Sequence, residues 1–145
     1  MIVPDVDVLI YAHREDAADH ERYRVWLEAV MASEAPYGVS DVVLSGFLRV
    51  VTHPRIFDPP TPLDLALDFV EVFRTASNAT PLAPGRRHWE IFTTLCRRTG
   101  AKGTIVPDAY LAALAIDTGS EWVTADRGFA RFPGLSWRHP LDGPS

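Results

Sequence analysis

The first residues, MIVPDVDVLIYA, set two carboxylates, Asp5 and Asp7, inside a run that is otherwise apolar from Ile2 to Ala12. A carboxylate at the edge of an interior is costly unless a hydrogen bond, a cation or a metal ion compensates it. Three more aspartates stand at comparable junctions. Asp41 follows YGVS, Asp108 opens PDAYLAALAIDTG, and Asp126 follows EWVTA. Singly, each has a plain explanation. Asp5 can cap a helix starting near Asp7, and Asp126 in ADRG can hold an Asx-turn. Asp41 and Asp108 gain about 0.3–1 kcal/mol from a helix dipole. Together the plain explanations weaken. Two carboxylates about 5 Å apart at an effective dielectric near 20 repel by roughly 3 kcal/mol, more than any one dipole returns. Converging acids therefore demand protonation or a cation. Oxygen donors without a Cys or His cluster select Mg2+ or Mn2+, ions that orient phosphates and activate water in phosphoryl chemistry.

What brings such acids together is an alternation of short strands and helices. Strands are expected at Ile2–Asp5, Pro36–Val39, Ala79–Ala83, Glu121–Thr124 and Leu135–Arg138. Between them, helices are expected at Asp7–Arg14, Asp19–Ser33, Asp41–Val51, Leu63–Ala76, Trp89–Thr99 and from Pro107 to Gly119. Ser40 suits the N-cap of the third, Pro107 the first position of the last, and Gly100 the stop of the fifth. This order implies an α/β class with a mostly parallel sheet of about four or five strands and helices on both faces. Ligands gather at the carboxyl ends of such strands, where all four junction acids would lie.

At 145 residues, 47% hydrophobic and 23% charged, the chain suits a single globular domain, expected over 1–138 with a loose tail at 139–145. No apolar run approaches the roughly 20 residues that span a bilayer, and no basic leader marks the start. The single Cys96 excludes an internal disulfide and fits a reducing cytoplasm. A net charge of −5 argues against general adhesion to nucleic acid.

The stretches MIVPDVDVLIYA, SDVVLSGFLRVVTHPRIF, VPDAYLAALAIDTG and WVTADRGFARFPGL resemble, in order and spacing, the PIN-domain proteins, especially VapC-type toxins of bacterial type II toxin–antitoxin pairs. The resemblance implies a three-layer α/β/α fold and an Mg2+- or Mn2+-dependent endoribonuclease whose products carry 5′-phosphate and 3′-hydroxyl ends. It also implies an RNA substrate, a cognate antitoxin and a homodimer. By position it makes Asp5, Asp108 and Asp126 the metal-binding, catalytic acids, with Thr124 as the hydroxyl companion of Asp126. Two departures stand out. Asp7 occupies a position where the family usually has Asn, and Gly46 one where it usually has Glu. Asp41 is the substitute on offer, although five helical residues turn through about 500° and set the two on different faces.

Other residues carry weaker signals. Arg86 and Arg87 recur eleven residues on as Arg97 and Arg98, a spacing that puts the pairs on one helical face, for RNA phosphates or plain solvation. Arg49 is the basic residue nearest the acids by spacing, fit to bind phosphate or pair with an acid. The five histidines lack zinc spacing, and neither Ser40 nor Ser45 sits in a nucleophile elbow. DVDVL after a strand also resembles the start of haloacid-dehalogenase-type phosphatases, with Asp5 as nucleophile and Lys102 as the required lysine. Gly46 keeps open a third reading, a PIN-like binding module without full catalysis.

Overall fold

A computed structural model describes residues 1–143. Five strands form one sheet: β1 (Ile2–Pro4), β2 (Tyr37–Ser40), β3 (Ala79–Leu82), β4 (Glu121–Val123) and β5 (Trp137–Arg138). The strand order is β3-β2-β1-β4-β5, and every pair is parallel, as the alternation predicts. Six α-helices complete the layers: α1 (Val6–His13), α2 (His20–Ala32), α3 (Asp41–Val51), α4 (Leu63–Thr75), α5 (His88–Thr99) and α6 (Ile105–Asp117). A 3-10 helix, Arg127–Arg131, lies between β4 and β5.

The chain winds from β1 through β2 to β3 on one side, then returns to place β4 against β1 on the other. The winding direction reverses between β1 and β4, and at such a reversal the connecting loops part and leave a crevice. Ile2, Val3 and Pro4 pair in register with Glu121, Trp122 and Val123, so both strands end at one level. Trp122, Tyr37, Phe47, Phe73 and Phe129 are fully buried and fill the two interfaces between sheet and helices. The Tyr37 hydroxyl is buried with them and is satisfied by donating to the Phe73 carbonyl (2.5 Å). Four alanines of α6, Ala109, Ala112, Ala113 and Ala115, are also buried, and the small side chains let that helix lie close to its neighbours.

Local chemistry departs from expectation in three places. Ser40 ends β2 in extended backbone, but its hydroxyl caps nothing, and α3 begins without a side-chain cap. Pro107 is the third residue of α6, not the first; Gly103, at φ 59°, turns the chain two residues before the helix starts. The expected loose tail is tied down as far as Asp142: Pro140 is buried, Leu141 packs against the core, and Asp142 pairs with Arg127 (2.9 Å). Its last two residues lie outside the described part. Gly100, at φ 60°, ends α5 as the sequence indicates, in the left-handed conformation a glycine adopts without strain. No described helix is long and apolar enough to cross a membrane.

Candidate active site

Asp5 is the first residue beyond β1. Its backbone N–H extends the β1–β4 ladder to the Val123 carbonyl (2.8 Å). Its carboxylate is held at both oxygens. Oδ1 accepts from the Val6 N–H (2.6 Å), capping α1, and Oδ2 accepts from the Thr124 hydroxyl (2.7 Å). The capping reading of Asp5 is thus correct and does not exhaust the residue. Capping fixes the orientation of a carboxylate only 7% exposed, and a helix start alone would not need it buried.

Thr124, fully buried, is the hinge of the site. Its hydroxyl donates to Asp5 and accepts from the Asp126 N–H (3.0 Å). Its contact with Asp7 Oδ2 is longer, 3.4 Å, because one hydroxyl proton serves the closer carboxylate. Asp7 also accepts from the Ala125 N–H (3.4 Å), so it faces the end of β4 rather than solvent. Asp126 caps the 3-10 helix by accepting from the Gly128 N–H (2.8 Å), the Asx-turn read from ADRG. Asp108 lies half-buried in the first turn of α6.

The protonation equilibria show that these carboxylates share one field. Burial pushes the Asp5 pKa up to about 8; the Asp7 and Asp108 charges add to that, while the bonds from Thr124 and Val6 oppose it. Burial raises Asp7 to about 6, with Asp126 contributing. Asp108 is raised by burial first and by Asp126 second, and Arg131 partly offsets both. The Tyr11 phenol is raised by burial and then by the charges of Asp7, Asp5 and Asp126, so it lies within the field of the same acids.

As they stand, no three ligand-type side chains among the described residues are close enough together to clasp an ion. The cleft nevertheless suits a hard divalent cation in donor type and charge. It offers carboxylate and hydroxyl oxygens, and its two most buried carboxylates have no ion-pair partner among the described residues. Asp5 and Asp108 are the residues that would hold such an ion, with Asp126 and Asp7 as the further carboxylates joined to Thr124 and the end of β4.

Several sequence candidates lie elsewhere. Asp41 is exposed at the first residue of α3 and is not among the leading influences on Asp5, Asp7 or Asp108. Gly46 does face the site's edge: a Cβ there would stand 3.1 Å from Val6 Cγ2, on the residue that follows Asp5. Arg49 is exposed one turn beyond Gly46 and makes no ion pair or side-chain hydrogen bond among the described residues. Arg87 and Arg98 share one face as the spacing suggests, lining a cleft of about 300 Å³ with Leu95, Ile116 and Pro133. Arg86 and Arg87, however, sit where the Gly85 N–H meets Asp117 Oδ2 (2.7 Å), at the end of α6 remote from Asp108. That is roughly 13 Å along the helix axis. Arg97 and Arg98 occupy the opposite end of α5, toward the start of α6. Lys102 is exposed in the α5–α6 loop.

Sequence reasoning missed Tyr11 and Arg131. Tyr11 is one turn beyond Asp7 on α1, a spacing that alone puts both on one face. Arg131 carries no such signal, because a 3-10 helix has no hydrophobic periodicity to read.

A parallel sheet with an acidic crevice at its winding reversal defines a class of α/β proteins, and the comparisons name it. The PIN domain family profile matches residues 2–135, and the chain belongs to that family. It lies among the VapC proteins. Ribonuclease VapC43 of Mycobacterium tuberculosis is 47% identical over 143 residues, covering 99% of this chain and 97% of the relative. Ribonuclease VapC25 of the same organism is 37% identical, with 97% and 99% covered. Among solved structures, VapBC2 from Rickettsia felis, bound to a promoter DNA fragment, superposes with a TM-score of 0.70 at 17% identity, covering 96% of this chain and 98% of that one. VapBC-1 from nontypeable Haemophilus influenzae gives 0.67 at 13% identity, covering 98% and 100%. The fold expected from the resemblance is the fold found. The haloacid-dehalogenase reading gives way to it.

Proposed function

We propose that this chain is a divalent-metal-dependent endoribonuclease that acts as the toxin of a toxin–antitoxin pair. The observation that carries the reading is the gathering of Asp5, Asp7 and Asp126 on Thr124 at the carboxyl ends of β1 and β4, with the charge of Asp108 felt at Asp5 and no cation paired to the two most buried acids among the described residues. The full-length similarity to proteins named VapC ribonucleases supports the same substrate class.

Asp5 and Asp108 would hold Mg2+ or Mn2+, and Asp126 completes the set. Bound there, the ion supplies charge neutralisation and an acidified water for attack on the phosphodiester. The rest belongs to the chain. The Thr124 hydroxyl and the Val6 N–H fix the Asp5 carboxylate so that its free lone pairs face the cleft. Asp7 adds a second buried charge that raises the demand for a cation. In-line attack expels the 3′ oxygen, leaving 5′-phosphate and 3′-hydroxyl ends. A cognate antitoxin silences the enzyme, and the working form is a homodimer in the cytoplasm.

The test is cleavage of total RNA by the chain freed of antitoxin, with ends mapped. Cleavage requires Mg2+ or Mn2+, stops with EDTA, and falls by at least about a hundredfold in Asp5→Asn and Asp108→Asn. Undiminished cleavage by both variants, or with EDTA, rejects the reading. Tight Mn2+ binding without cleavage supports the binding-module alternative raised by Gly46.

A further inference from the structure

Gly128 poses a question that its backbone does not answer. It is the second residue of the 3-10 helix and is not among the glycines with positive φ, so any residue could adopt its conformation. What it lacks is room. A Cβ there would stand 2.8 Å from Arg131 Nη2 and 2.9 Å from Asp126 Oδ1. The glycine therefore clears a slot in which the Arg131 guanidinium folds back over its own helix to lie beside Asp126.

Arg131 is also distinguished by what it does not bind. Arg14, Arg22, Arg24, Arg127 and Arg138 are each committed to a carboxylate. Arg131, exposed on the rim, has no ion pair or side-chain hydrogen bond among the described residues. Yet it is the one cation among the leading influences on Asp108, and no cation stands among those on Asp5 or Asp7. A guanidinium carries five donors in a planar fork suited to two phosphate oxygens at once. Held beside acids and bonded to none of them, its donors are free for an anion that arrives from solvent.

We propose that Arg131, seated by Gly128, is the residue that grips the RNA phosphate at the cleft, drawing a polyanion onto a site whose own carboxylates repel it. The proposal rests on the nuclease reading above. Two roles are distinguishable: touching the phosphate, or merely offsetting the charge of Asp108.

The experiment compares the full chain, freed of antitoxin, with Arg131→Gln, Arg131→Lys and Gly128→Ala. Cleavage kinetics use an RNA oligonucleotide that the parent cuts. Binding of the same RNA is measured in an Asp5→Asn background across a salt series. Arg131→Gln should lower kcat/KM about a hundredfold, and Arg131→Lys should recover part of that, since a point charge replaces the fork. Gly128→Ala, whose Cβ crowds both Arg131 Nη2 and the Asp126 Oδ1 that accepts from the residue-128 N–H, should lower it about tenfold, and an unchanged Mn2+ affinity in that variant separates loss of the guanidinium from disturbance of Asp126. The slope of log affinity against log salt should shrink by about 0.7 in Arg131→Gln, the share of one single-strand phosphate contact. An unchanged slope with altered Mn2+ affinity overturns the proposal in favour of charge offset at Asp108. Parental kinetics in Arg131→Gln overturn it outright. A parent that cuts no RNA sinks the nuclease reading itself, whereas a cutting parent with an indifferent Arg131 sinks only this inference.

Discussion

At the scale of single residues, Thr124 decides how the site is aimed. One hydroxyl orients Asp5 and receives the Asp126 N–H, so it couples the ends of β1 and β4 to the start of the 3-10 helix. Thr124→Val keeps the shape and removes both bonds, leaving a buried carboxylate oxygen and an amide without partners. The expected cost is about 2–4 kcal/mol of stability, read by denaturant unfolding. Thr124→Ser should return most of it. Because the Thr124 bond opposes the rise in the Asp5 pKa, its loss also pushes that pKa further up, and the pH at which cleavage sets in should move upward. An unmoved onset in Thr124→Val would mean that Asp5 does not govern the reaction. At this scale the sequence was a good guide to charge and a poor one to reach. Asp5, Asp108 and Asp126 stood out as candidates because each stands at a strand–helix junction. Asp7, where the family usually has Asn, accepts from the Ala125 N–H and so faces the end of β4. Asp41 is exposed at the first residue of α3, a helix that begins without a side-chain cap.

Elements raise a different matter, the fit of α3 against the start of α1. Gly46 occupies the family's Glu position, and Val6 fills the space its side chain would take. Gly46→Glu alone should destabilise by about 1–2 kcal/mol, the usual cost of crowding a packed contact. Val6→Ala should relieve that crowding. If the position still addresses the cleft, Gly46→Glu in the Val6→Ala background should tighten Mn2+ binding by about tenfold, since an added carboxylate deepens an oxygen site. Titration calorimetry on the single and double variants separates the two contributions, and equal Mn2+ affinity in all of them would show that α3 has turned its ligand position away. Element order and sheet direction were legible because the alternation of apolar runs with Gly- and Pro-marked breaks is a long-range pattern. Helix starts were not, because they depend on single turns. Gly103 sets the start of α6 ahead of Pro107, and Ser40, extended at the end of β2, makes no side-chain cap to α3.

The molecule as a whole stores a conflict between folding and the acids it gathers. In the unfolded chain Asp5 and Asp7 titrate near 3.8; folding raises them to about 8 and about 6 and moves Asp108 in the same direction. The folded state therefore binds more protons than the unfolded state between those limits, so its stability falls as pH rises. The contribution is fully present below about pH 4 and is lost as pH climbs through 6 and then 8. The exposed carboxylates of Asp16 and Asp142, whose pKa values are lowered by arginine partners, act in the opposite sense only in the acid range. In chelator-treated protein the Tm should therefore drop by roughly 5 °C or more between pH 5 and pH 8.5. Asp5→Asn should flatten that fall and melt higher than the parent at pH 8, even though it abolishes cleavage. A cation that joins the buried carboxylates binds only the folded form, so Mg2+ or Mn2+ should raise the Tm, and by more at pH 8 than at pH 5. Differential scanning calorimetry over pH, with and without the ion, reads all of these effects. A parent whose Tm holds steady across the range, or an ion effect independent of pH, would mean that the four acids do not share one site.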